Sequence, residues 1–245
     1  VDIALALDIS GSMASLDFEP DNRLEAAKRV IGDFVQKRPY DQIGLVVFAS
    51  NAFNQSPPTT DHNVLQRLLD RTKLATELGI DDGTAIGMGL ANAGNMLKDS
   101  DANSRVIILL TDGVNNSGEI DPLTAAQAAE ALGIKVYTIG MGRTGEVPVP
   151  MVDAFGRERV VYQQSELDEA TLQEIADITG GRYFRAEDTA GLKEIYEEID
   201  SLEKSQIEVE RSTRYQELMA WLLVPALGLV AGEMALRKTI FRKLP

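Results

Sequence analysis

Cysteine is absent from the 245 residues, which excludes disulfides, thiolate catalysis and cysteine-ligated zinc. Histidine is nearly absent: His62 stands alone beside Asp61, with no third partner for acid–base catalysis, so a solvated surface role is expected. Basic residues are scarce against acidic ones, 24 to 38, for a formal net charge of −14. That balance argues against nucleic acid, because a duplex binder needs a basic footprint to release counterions. It is compatible with cation binding or a basic partner, although acidic surface usually serves solubility. The chain opens on Val1 with no visible secretory signal, which leaves targeting open. No internal repeat or low-complexity tract occurs. Apolar residues at 44% and charged residues at 25% give a globular composition.

The apolar runs come in two kinds. Short, nearly continuous ones read as strands covered on both faces: Val1 to Ile9, Ile43 to Ala49, Arg105 to Leu110, Ile134 to Gly140, and a short Arg182 to Arg185. Three- and four-residue spacing marks helices between them: Arg23 to Lys37, a segment capped by Asp61 and running to Arg71, Thr84 to Leu97, Pro122 to Leu132, Leu167 to Thr179 ending at Gly180, and Thr189 to Lys204. Pro57 and Pro58 end whatever extended segment follows Ala49, and Arg143 to Gln164 reads as an excursion or hairpin. Strands alternating with helices predict right-handed βαβ crossovers and an α/β, doubly wound, mostly parallel sheet over 1–204.

The tail differs. Leu218 to Gly232 holds fifteen residues without a charge, and Met234 to Leu236 extend the stretch to nineteen after Glu233. About 20 apolar residues cross a bilayer, so 218–236 is expected as a transmembrane helix, with a buried core helix or an amphipathic surface helix as the alternatives. A linker at 205–217 would precede it and a basic tail at 237–245 follow. Tyr215 and Trp221 suit one interface, and Arg237, Lys238, Arg242 and Lys243 crowd the other side. Pro225 can kink the helix, Gly228 and Gly232 permit close helix contact, and Glu233 can pair with Arg237. By the positive-inside rule the basic end is cytoplasmic and the α/β domain lies opposite, periplasmic in a Gram-negative cell.

Ligands of open α/β sheets bind where strand C-termini meet the loops. Three segments place oxygen donors there: Asp8, Ser10 and Ser12 after the first strand, Thr84 in the Asp82-Gly83-Thr84 turn, and Asp112 in Thr111-Asp112-Gly113. Each alone reads as well as a cap or turn residue. Together, two carboxylates and three hydroxyls without Cys or His suit a hard cation: Mg²⁺ first, with Mn²⁺ or Ca²⁺ as alternatives. Gly87-Met88-Gly89 to Gly94 superficially suggests a nucleotide fingerprint, but it falls inside a helix, where glycines serve close packing.

Asp8-Ile9-Ser10-Gly11-Ser12-Met13, Asp82-Gly83-Thr84 with Gly87, and Thr111-Asp112-Gly113 resemble the metal-ion-dependent adhesion site (MIDAS) of von Willebrand factor A domains. The resemblance implies that Ser10, Ser12 and Thr84 coordinate the cation through side-chain oxygens, and that Asp8 and Asp112 act directly or through water. It also implies an open coordination position for a partner's carboxylate. Residual charge on a cation held by few anionic groups would attract such a ligand. In the C-terminal half, VPVPMVDAFG, LQEIADITGGRYFRA and LKEIYEEIDSLEKSQ, with the apolar helix, resemble the membrane-anchored bacterial Bat (aerotolerance) proteins. That likeness implies membrane helices before Val1, partner membrane subunits, a MoxR-type AAA+ ATPase and an inner-membrane location. A non-enzymatic binding module is the expectation. A metal-dependent hydrolase, or a scaffold whose metal only stiffens loops, are the alternatives.

Overall fold

A computed structural model describes residues 1–152, 157–213 and 219–239. They form two compact units by contact, Val1–Leu202 and Glu203–Pro245.

The first unit is built on a six-stranded sheet. Strands β1 (Asp2–Asp8), β2 (Gln42–Phe48), β4 (Arg105–Thr111), β5 (Lys135–Met141) and β8 (Tyr183–Ala186) are parallel neighbours in the order β2-β1-β4-β5-β8. The expected mostly parallel α/β architecture is therefore present. β1 sits between β2 and β4, and its aliphatic side chains are buried on both faces. Ile3, Leu5 and Leu7 join one core with α1 (Arg23–Gln36), while Ala4 and Ala6 join the other with α3 (Ile86–Leu97) and α4 (Pro122–Ala131). That two-sided burial explains why the strand sequences are continuously apolar rather than alternating.

One strand is not legible as a run. β3 (Ala52–Thr59) pairs antiparallel with β2 at the sheet edge, and its register is irregular between Ile43 and Val46. Pro57 and Pro58 lie within it rather than ending it. Proline lacks the ladder N–H, and an edge strand tolerates that where a central one does not. The excursion expected over 143–164 is an antiparallel hairpin of β6 (Gly145–Val152) and β7 (Glu158–Ser165).

The helices start and stop by local chemistry. Asn22, Asp61, Asp121 and Asp168 accept N-terminal amide hydrogens of α1, α2 (His62–Asp70), α4 and α5 (Glu169–Thr179). Pro122 occupies the first turn of α4, and Gly180 closes α5 in the left-handed conformation.

The segment expected as a linker is helical as far as it is described: α6 runs Thr189–Thr213, rich in Glu, Lys and other good helix formers. Residues 214–218 lie outside the described residues. The apolar stretch expected at 218–236 is a helix, α7 (Met219–Thr239), with Pro225 inside it. Its described large apolar side chains, Leu223, Leu227, Leu229, Val230, Met234 and Leu236, are exposed. Among the described residues no helix is long and apolar enough to cross a membrane. The basic tail from 240 onward lies outside the described residues.

Candidate metal centre

The oxygen-bearing residues singled out from the sequence converge at the C-terminal ends of β1 and β4. Asp8 ends β1 and is fully buried. Its Oδ1 accepts the Ser10 backbone N–H at 2.8 Å, and its Oδ2 accepts the Thr111 hydroxyl at 2.6 Å. The Thr111 hydroxyl thus ties the end of β4 to the end of β1. Gly11–Ala14 form a 3₁₀ turn after β1, which turns Ser12 toward β4. The Ser10 and Ser12 hydroxyl oxygens lie 3.1 Å apart, and Ser12 donates to Asp112 Oδ1 at 2.6 Å. Asp8, Ser10, Ser12 and Asp112 are therefore one connected cluster of oxygens.

Thr84 reaches the cluster by a different route. The capping role considered for it is not its role: Ala85 holds the N-cap position of α3, without a side-chain capping bond. The amides at this helix start are served from another loop instead. Asn116 accepts the Thr84 N–H and Asn115 the Ile86 N–H, at 2.8 and 2.9 Å. The Thr84 hydroxyl oxygen stands 3.2 Å from where a Cβ on Gly113 would lie, so Thr84 packs closely on the loop that carries Asp112. Asp82 joins the first two segments, accepting the Gly11 N–H at 2.8 Å. A Cβ on Gly11 would come within 2.5 Å of the Asp82 carboxylate. These cross-loop bonds order the site before any ligand arrives.

Arg23 is the functional residue that sequence patterning missed. It opens α1, where a cation opposes the helix dipole, and that misfit is the signal that could have found it. Arg23 is 1% exposed. Its Nε and Nη2 grip both oxygens of Asp17 at 2.8 and 2.7 Å, and its Nη1 donates to Asp112 Oδ2 at 2.6 Å. Nη2 also donates to the Ser165 hydroxyl at the end of β7, at 3.2 Å. Each Asp112 oxygen thus has its own donor, Ser12 on one and Arg23 on the other.

The electrostatics follow from this crowding. Burial, and then the nearby charge of Asp112, push the Asp8 carboxyl up to about 7. Burial also raises Asp112, against the pull of Arg23 and the Ser12 hydroxyl. Burial opposes ionisation of Asp17 too, but the hydrogen bonds and charge of Arg23 outweigh it and lower its pKa. Two carboxylates held above their ordinary range beside three hydroxyls are a site short of positive charge. Oxygen ligands without nitrogen or sulfur suit a hard divalent cation, so the donor set fits the ion expected from the sequence.

The cluster opens on a cleft of about 210 Å³. Ser12, Thr84 and Asp112 form one side, and Val147, Val149 and Gln163 of the β6–β7 hairpin form the other.

A doubly wound sheet with an oxygen cluster at the ends of its central strands defines a class of α/β binding domain. Residues 2–198 match the von Willebrand factor type A domain family, and the chain belongs to it. A Borreliella burgdorferi protein of unassigned function is 34% identical over 89% of this chain, and the chain spans 64% of that relative's length. A UPF0353 protein of Mycolicibacterium paratuberculosis is 33% identical over 99% of this chain and 70% of its own. Among solved structures, BatB from Bacteroides thetaiotaomicron is 34% identical with a TM-score of 0.71, covering 83% of this chain and 99% of that one. An aerotolerance-related membrane protein from Bacteroides fragilis is 32% identical with a TM-score of 0.68, covering 81% and 97%. Mussel byssus proximal thread matrix protein 1, solved with zinc in its MIDAS motif, shares the fold at 23% identity and a TM-score of 0.61, over 82% of this chain and 45% of that one. The chain is thus a von Willebrand factor A domain protein related to Bat-type, aerotolerance-related membrane proteins.

Proposed function

We propose that this protein is a non-enzymatic, cation-dependent binding module attached to a membrane. The observation that carries the reading is the convergence of Asp8, Ser10, Ser12 and Asp112 on one hydrogen-bonded cluster, of which Ser12 and Asp112, with Thr84, line an open cleft. Ser10, Ser12 and Thr84 would hold the ion by their hydroxyl oxygens, with Asp8 and Asp112 supplying the negative charge directly or through water. When bound, a divalent cation, Mg²⁺ first and Mn²⁺ or Ca²⁺ as alternatives, would supply a Lewis-acidic position for a carboxylate from a protein partner. The chain's own contribution is orientation. Thr111 and the Ser10 amide fix the Asp8 carboxylate, Arg23 fixes one oxygen of Asp112, and Asn116 holds the Thr84 loop.

A metal-dependent hydrolase would need a general acid or base beside the cluster. His62, the sole histidine, donates from Nε2 to the Asp41 carbonyl at 3.0 Å and belongs to another part of the fold.

Membrane attachment is proposed through the C-terminal segment, on two supports: the exposed apolar side chains of α7 and the relative described as an aerotolerance-related membrane protein. The module would belong to a Bat-like envelope complex served by a MoxR-type AAA+ ATPase. The test is capture of membrane partners on the immobilised full chain, with and without chelator. Partners that leave with chelator, and that Asp8→Ala fails to hold while its circular dichroism is unchanged, are expected. Equal capture by the metal-free chain would leave only the scaffold reading.

A further inference from the structure

Opposite the oxygen cluster, the strands of the hairpin line the cleft with uncharged side chains, while Arg23 and Glu166 add charge elsewhere in its lining. Val147 and Val149 of β6 and Gln163 of β7 face it across from Ser12 and Asp112. Side chains alternate along a strand, and the register pairs Val147 with Gln163, Val149 with Val161 and Met151 with Arg159. Those pairs share one hairpin face, so the apolar strip leaves the cleft through Val149 and continues to Val161 and Met151, which are 40% and 46% exposed.

The wall is held at a fixed distance from the site. The Leu16 N–H donates to the Pro148 carbonyl at 2.8 Å, Arg23 to Ser165 at 3.2 Å, and the Arg143 N–H to Asp17 at 3.2 Å. Val147 is buried at the hairpin's base. Both strands are therefore anchored where they meet the oxygen cluster. Strand addition along the outer edge of β6 is blocked in part: Pro148 and Pro150 offer no N–H, and the Pro148 carbonyl is already taken. Recognition on the hairpin thus falls to its side chains.

We infer that the partner-binding surface runs from the oxygen cluster onto this hairpin face, and that the partner is a protein segment carrying an Asp or Glu with aliphatic residues directly beside it. This rests on the cation-dependent reading above. The carboxylate goes to the cluster and the aliphatic neighbours lie on Val149 and Val161. A charged neighbour would be desolvated against the aliphatic Val149 and Val161, so such sequences are disfavoured. The continuity of the apolar strip with the polar site selects this occupant over a second copy of the chain or a lipid surface, which would not need the carboxylate.

The probes are fluorescently labelled synthetic peptides, Gly-Val-Val-Asp-Val-Val-Gly, the same with Ser for every Val, and the same with Asn for Asp. They are titrated by fluorescence polarisation into the full chain in detergent micelles, with Mg²⁺ or with EDTA. The aliphatic Asp peptide is expected to bind about tenfold tighter than the Ser peptide, the scale of a few half-buried methyl groups, and only with Mg²⁺. Hydrogen exchange is expected to slow across 147–149 and 160–163. Val149→Ser with Val161→Ser should erase the tenfold preference while direct Mg²⁺ titration is unchanged, which separates lost contact from lost fold. Equal Mg²⁺-dependent binding of the Val and Ser peptides would overturn the hairpin surface and leave the metal site standing. Binding indifferent to EDTA and to Asp→Asn, or absent for every peptide, would overturn both.

Discussion

Arg23→Met keeps the length of the side chain and removes its charge from between Asp17 and Asp112. The ion pairs it breaks are 2.7 and 2.6 Å long, and the side chains on both sides are 2% exposed or less. Solvent cannot replace the guanidinium at that depth, so the loss is that of one member of a buried pair, about 3–5 kcal/mol. In a domain of this size each kcal/mol moves the melting temperature by about 2–4 °C, giving a fall of roughly 6–20 °C. The perturbation is local to the site, because Asp112 Oδ2 loses its donor while Oδ1 keeps Ser12. A divalent cation can restore a counter-charge to Asp112 but not to Asp17. Thermal unfolding of the full chain, followed by circular dichroism in EDTA and then in Mg²⁺, therefore has two readouts. Mg²⁺ is expected to raise the melting temperature of the variant more than that of the parent, without restoring it fully. Adding Asp17→Asn to Arg23→Met should cost less than the two single changes summed, since the two residues are directly bonded. A melting temperature within 2 °C of the parent would refute the buried-pair reasoning. So would an Mg²⁺ response equal in the two chains.

Three further outcomes follow from the same coordinates. Asp8 sits at about 7 in the folded, metal-free chain against about 3.9 unfolded, so the fold favours its protonated form. Its contribution to stability is present below about 4 and lost as pH rises through about 7; Mg²⁺ affinity, which needs the carboxylate, should climb over the same upper range, and a flat affinity between pH 5.5 and 8 contradicts this. Gly87→Ala would bring a Cβ to 2.0 Å from the Ile120 carbonyl oxygen; the backbone cannot yield cheaply, so a loss of about 1–3 kcal/mol in urea unfolding is expected, and a gain, as for an exposed helical glycine, would contradict it. Truncation after Lys204 should move the protein from the membrane pellet to the supernatant; equal partitioning of the two lengths would remove α7 as the attachment.

The strands of the sheet interior were readable because burial on both faces leaves a mark that needs no partner to interpret: VDIALALDI and RVIILL can hardly be anything else. The sheet edge was not, since β3 reads AFNQSPPT and is a strand only because β2 offers it a ladder. The helix caps at Asp61 and Asp168 act within three residues, so the sequence carries them whole. Thr84 is the reverse case. Its helix start is served by Asn115 and Asn116 about thirty positions away, and no local pattern announces that. Arg23 likewise reads as a helical surface residue until the fold brings Asp17, Asp112 and Ser165 around it. The apolar tail was legible as a helix because its uncharged run is long enough for several turns.

Whether the oxygen cluster binds a divalent cation is decided most directly by calorimetric titration of Mg²⁺ into the EDTA-stripped full chain, beside Ser12→Ala. Ser12 is solvent-accessible, and its hydroxyl links Ser10 to Asp112, so the change leaves the core intact and takes one oxygen from the site. One Mg²⁺ per chain is expected for the parent, with affinity at least about tenfold weaker in the variant and a melting temperature in EDTA lower by only about 2–6 °C, the loss of one hydrogen bond to Asp112. No heat of binding in the parent, or the same affinity in both chains, would contradict the assignment of this site.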